Sequence, residues 1–80
     1  MDRAILDQIV AKSRDAAKGG FGALSTGEKL AAAIALNRPD WLQEMGYTIT
    51  EAMKRIGADW MAEVLAASEI LDREGLVRRQ

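Results

Sequence analysis

The chain has 80 residues, with eleven Lys and Arg against twelve Asp and Glu, no His and no Cys. This near-neutral balance excludes a whole-chain field that draws nucleic acid or anionic membrane. The missing residue types exclude disulfides and thiolate metal sites, and they remove the commonest general base and metal ligand.

A chain of this length makes one domain at most and buries only roughly 60–65% of the surface its unfolded form exposes. A single helical domain over residues 1–80, with a small core, is therefore expected. The opening "MDRAILDQIVAKSRD" is charged early and lacks an apolar run of signal-peptide or membrane-span length. A cytoplasmic protein with no membrane partner is the expectation.

The first helix is expected from about Asp2, which can cap it, to Lys18. Ile5, Leu6, Ile9, Val10, Ser13, Ala16 and Ala17 recur at helical spacing and make its buried stripe. Gly19 and Gly20 supply the left-handed conformation that ends a helix. "KGGFGAL" then forms the longest loop.

The second helix is expected over Thr26–Leu36. "KLAAAIAL" is apolar almost all round, which marks the most enclosed helix of the set. Asn37 stops it, and Pro39 pushes Arg38 out of the helical region. Pro39 also starts a short third helix to Met45, with Trp41, Leu42 and Met45 as its apolar face and Gly46 as its end.

Thr48 and Glu51 have capping-box spacing and open a fourth helix that Gly57 stops. Ile49, Ala52, Met53 and Ile56 are expected to face inward. A fifth helix starts behind Asp59 and ends at Gly75. Trp60, Met61, Val64, Leu65, Ser68, Ile70 and Leu71 form its expected stripe. Glu51 with Arg55 and Glu69 with Arg73 have the orientation of i,i+4 ion pairs. These elements predict an all-α compact bundle of four to five short helices, with the last two in a helix-turn-helix-like arrangement.

Two stretches carry resemblances. "LSTGEKLAAAIAL" resembles the signature motif of ABC-type ATPases, in which a Ser at a helix N-terminus meets the terminal phosphate of ATP. Thr26 stands where that family has Gly, and no Walker A segment is present. Gly22 and Gly27 have P-loop spacing, but Glu28 follows where the motif needs Lys. Ser25 and Glu28 also make a capping box, which explains the same letters without a nucleotide.

"TITEAMKRIGADWMAEVLAASEILDREGLVRR" resembles the helix-turn-helix part of winged-helix regulators through Thr48, Glu51, Ala52, Ile56, Gly57, Leu71, Gly75, Leu76, Val77, Arg78 and Arg79. The resemblance implies DNA binding through Lys54, Arg55, Arg78 and Arg79. The would-be recognition helix, however, carries Asp59, Glu63, Glu69, Asp72 and Glu74 against one Arg. It offers no Arg, Asn or Gln at its start to read bases.

No two carboxylates stand out as an acid and base pair. Ser13 and Ser68 lie in apolar stripes, where back-bonding to the helix is the expected role. No catalytic, cofactor-binding or metal-ligating residue is assigned, and no cofactor is expected. The preferred reading is a small non-enzymatic protein-interaction module that docks on a larger protein partner, as inhibitors, adaptors and antitoxins do. Trp41 and Trp60 are the expected apolar anchors. Asp59, Glu63 and Glu69 are the expected acidic contacts. Nucleic acid is the less favoured partner, and a homodimer is compatible with the sequence.

Overall fold

A computed structural model describes residues 1–79. Five α-helices follow one another: α1 (Arg3–Asp15), α2 (Thr26–Ala35), α3 (Pro39–Glu44), α4 (Ile49–Ile56) and α5 (Ala58–Arg73). No strand occurs among the described residues. The expected all-α bundle is the observed architecture.

Local chemistry fixes the helix starts. The Asp2 carboxylate accepts the Ile5 N–H at 3.1 Å and caps α1. Ser25 and Glu28 close a reciprocal capping box on α2, with bonds of 3.2 and 2.9 Å. Thr48 and Glu51 do the same for α4, at 3.0 and 2.9 Å. Each box satisfies two backbone N–H groups that a bare helix end would leave open. Pro39 occupies the first position of α3, where its missing N–H costs nothing.

Helix α1 stops short of the expected Lys18. Regular geometry ends at Asp15 and widens into a turn over Ala16–Gly20, in which Gly19 has φ 98°. A Cβ at Gly20 would lie 2.9 Å from the Asp15 carbonyl oxygen, so the turn closes too tightly for a side chain there. A short 3₁₀ turn, Phe21–Ala23, leads to Ser25. Asn37 ends α2 in the left-handed region, with φ 57°. Helix α5 begins at Ala58, directly after Gly57 with φ 90°, so Asp59 sits inside its first turn and does not cap it. The corner between the last two helices is that single glycine.

Helix α2 touches each of the other four helices, as its all-round apolar character predicts, and α1 packs most extensively on α5. The larger core cluster joins Leu6, Ile9, Val10, Leu24, Leu36, Val64, Ala67 and Leu71. A smaller one joins Leu30, Ala33, Leu42 and Ala52, and Ile34, Trp41 and Ile56 border both. Alanines on α2 bring the backbones close, which suits so short a chain.

The segment after α5 folds back over the bundle. The Arg78 N–H donates to the Leu36 carbonyl at 2.9 Å, and the Asn37 side-chain amide donates to the Arg78 carbonyl at 2.7 Å. Leu76 and Val77 pack on the larger core.

Several expected inward residues point elsewhere. Ala17 is exposed, as are Ile49 (60%), Met53 (43%) and Leu65 (72%). Helix α4 has only eight residues, and Ala52 fills its contact with the smaller cluster, with Ile56 packed beside it. The Ile49–Met53 edge is left beyond the neighbours' reach. Helix α5 is apolar on both sides, so its periodicity could not choose a face, and Leu65 lies opposite Val64, Ala67 and Leu71.

The two serines also depart from expectation. Ser68 donates across helices to the Ala35 carbonyl at 2.8 Å. Ser13 is fully buried, with no hydrogen-bond partner among the described residues. The expected pairs Glu51–Arg55 and Glu69–Arg73 are not among the ion pairs of the described residues. Glu51 instead spends its carboxylate on the Thr48 N–H.

Candidate protein-docking surface

The Asn37 turn and Pro39 swing the chain sharply from α2 into α3, and the Thr48 box starts α4 beside that corner. Between them lies an open groove of about 100 Å³, lined by Ala33, Ile34, Asn37, Arg38, Pro39, Leu42 and Ile49. Met53 stands one turn along α4 from Ile49, on the same side of the helix. The floor is alkyl, and the polar groups sit at the α2–α3 end. Small-molecule sites span roughly 300–1,000 Å³, so this groove suits one or two apolar side chains better than a nucleotide or cofactor.

Charge at the rim is organised around Asp40. Arg38 donates to both carboxylate oxygens of Asp40, at 3.0 and 2.8 Å, and Arg78 reaches the same carboxylate at 2.9 Å. These guanidinium groups, Arg38 first, lower the Asp40 pKa to about 2. The Asp40 carboxylate in turn raises the Arg38 pKa. Arg38 also lies over the Trp41 ring at 4.1 Å, and Trp41 meets Phe21 with ring centroids 4.4 Å apart. The corner is therefore a lip in which an indole packs on a phenyl ring and on a guanidinium that is itself held by a carboxylate.

The expected contact residues scatter over the molecule. Trp41 is half-buried at this lip, and Trp60 is half-buried against the larger core, on a different helix. Asp59 and Glu69 are exposed on α5. Glu63 is only 5% exposed, and its carboxylate accepts the Asp2 N–H at 3.0 Å. It is therefore a buried tie between the N-terminal segment and α5 and does not belong to an exposed acidic face. The charge reversal that a surface Glu63 would tolerate is not open to this one.

The residues of the DNA-binding alternative divide as well. Lys54 and Arg55 are exposed on α4. Arg78 is paired to Asp40, and Arg79 is paired to Asp72. The exposed side of α5 presents Ala58, Asp59, Ala62 and Leu65 over its first two turns. That surface holds no donor for a base edge and one carboxylate to repel phosphate.

Ser25 and Glu28 are engaged with each other in the α2 box. The Ser25 N–H, together with Gln8, lowers the Glu28 pKa. Lys29 reaches back over the Phe21 ring, 5.6 Å from its centroid. Among the described residues, no group of three acidic side chains could hold a metal ion, and no helix is long and apolar enough to cross a membrane.

Ile49 and Met53 are the contact candidates that sequence reasoning placed inside. No signal in the sequence could have found them: Ile49, Ala52, Met53 and Ile56 span about 100° of the helix, the width of an ordinary buried stripe. Comparison with known proteins finds no matching family model, no matching curated protein and no matching solved structure.

Proposed function

We propose that this protein is a small non-enzymatic interaction module that docks on a larger protein through the groove between the α2–α3 corner and α4. The observation that carries the reading is the exposure of Ile49 at a side-chain-sized apolar groove, with exposed Met53 one turn along α4 from it. Large aliphatic side chains left in water beside a concave apolar floor are the usual anatomy of a contact core, and the Trp41–Arg38 lip beside them matches the residue types enriched at contact hot spots. A composition without His or Cys supports a binding role over catalysis.

The DNA-binding alternative gains little from the fold. Two of its four basic residues are already neutralised by Asp40 and Asp72. The helix that would enter a groove shows an acidic and aliphatic surface.

Affinity capture from the host with the wild-type chain, Ile49→Asp and the double variant Lys54→Ala/Arg55→Ala separates the two readings. Protein docking at the groove predicts a partner held by wild type and by the basic-residue variant but lost with Ile49→Asp. Retention by Ile49→Asp contradicts this site. Capture of nucleic acid that disappears with the basic-residue variant favours the alternative.

A further inference from the structure

A second surface, separate from the groove, lies on the outward side of α5. Ala58, Ala62, Leu65, Glu69 and Arg73 recur there at intervals of three and four and are all exposed. Leu65 is 72% exposed, more than Ile49 or Met53. Asp59 stands at one end of this face and Arg73 at the other. Among the described residues, neither joins an ion pair. The face thus has an acid at its N-terminal end, a base at its C-terminal end and an aliphatic side chain near its middle.

That order is self-complementary in one arrangement. Asp59 and Arg73 are 14 positions apart, about 21 Å along the helix, with their midpoint at Ala66 beside Leu65. A two-fold axis through that midpoint sets Asp59 of each copy against Arg73 of the other and brings the two Leu65 side chains together. Both ion pairs then fall on the same edge of the interface, because the two residues lie on the same side of α5. Ala62 of each copy leaves room opposite Glu69. The antiparallel crossing also opposes the two helix dipoles. A parallel crossing would set Asp59 on Asp59 and Arg73 on Arg73.

From this geometry we infer that α5 is a self-association face, taking a second copy of this chain in antiparallel register about Leu65. The contact is isologous, as two-fold interfaces are. One helix face per copy is less than the roughly 800 Å² each partner gives to a standard stable interface, so the dimer is a weak one, populated on the order of 100 µM and above. It leaves the α2–α3–α4 groove open and does not depend on the role proposed for that groove.

Sedimentation equilibrium across that concentration range tests the face, with circular dichroism confirming that each exposed-site variant stays helical. Leu65→Glu should weaken association at least about tenfold, as expected for a central contact. Asp59→Arg and Arg73→Asp should each weaken it several-fold, and the double variant Asp59→Arg/Arg73→Asp should recover it. A chain that stays monomeric at about 1 mM, where even a millimolar Kd shows association, overturns the inference. A dimer indifferent to Leu65→Glu overturns it too, as does a double variant no better than the singles. The absence of native Cys allows a second readout. Leu65→Cys should give a disulfide-linked dimer under mild oxidation, and Met53→Cys should not. The reverse pattern contradicts the α5 interface directly.

Discussion

The Glu63 carboxylate accepts the Asp2 backbone N–H at 3.0 Å, joining positions 61 apart in sequence. Asp2 itself caps α1, so one buried acid anchors the start of that helix to the flank of α5, its most extensive neighbour. Breaking this tie should destabilise the fold and not merely alter a surface. Glu63→Ala should cost about 1.5–3 kcal/mol, the range for a hydrogen bond to a charged group. Glu69→Ala should fall within about 0.5 kcal/mol of wild type. Urea denaturation of the two variants measures the contrast, and equal stabilities would contradict the buried role.

The capping boxes make a second prediction. Ser25→Ala should cost about 1 kcal/mol, because one N–H of α2 loses its acceptor and Glu28 loses half of its reciprocal pair. ATP should leave the melting temperature of wild type unchanged. An ATP-dependent rise that vanished in Ser25→Ala would instead support the phosphate reading of the same residues.

Ser13 provides a test of opposite sign. Its hydroxyl is buried without a partner among the described residues, so removing it relieves a desolvation cost. Ser13→Ala should stabilise the protein by about 1 kcal/mol, whereas Ser68→Ala, which deletes the bond to the Ala35 carbonyl, should destabilise it by a similar amount. Thermal melts of the two variants should move in opposite directions.

Much of this was legible in the sequence, and the illegible part has a physical pattern. Asp2, Ser25 and Thr48 announced three helix starts because a cap depends on neighbours three residues away. Asn37 and Gly57 announced turns for the same local reason. The face of α5 was not legible: Ala58, Ala62 and Leu65 are as apolar as much of its core side, so a pattern of residue types could not show which side α1 and α2 would cover. Glu63 looked exposed because it is charged. Its partner is a backbone N–H at the far end of the chain, and no side-chain pattern signals that. The Ile49–Met53 edge was missed because inward and outward depend on how far α2 and α3 extend. The Asp40 network was missed because Arg78 reaches it only after the chain reverses past α5.

Acid should expose the carboxylate network. Asp40 titrates at about 2, held down by Arg38 first and then Arg78. The pKa of Glu74 is lowered by Arg14, and that of Glu51 by the Thr48 N–H. These groups bind protons more readily when unfolded, with reference values of about 3.9 for Asp and 4.3 for Glu. Their stabilising contribution is therefore complete above those reference values and is lost as the pH falls through the lower folded ones. The melting temperature should be flat from neutral pH to about 5 and then decline toward pH 2. Asp40→Asn should remove part of that acid slope. A melting temperature that rose on acidification would contradict the assignment.

The central claim is that a protein meets the groove formed by Ile49 and its neighbours. Its most direct test is a photo-crosslinking amino acid placed at Met53 in the otherwise intact chain and activated in host cells, with the same group at Gln8 as a control on the exposed side of α1. The account predicts a discrete protein adduct from position 53, absent from position 8 and abolished when Ile49→Asp is added. Nucleic-acid adducts from position 53, or a protein adduct that persists with Ile49→Asp, would contradict it.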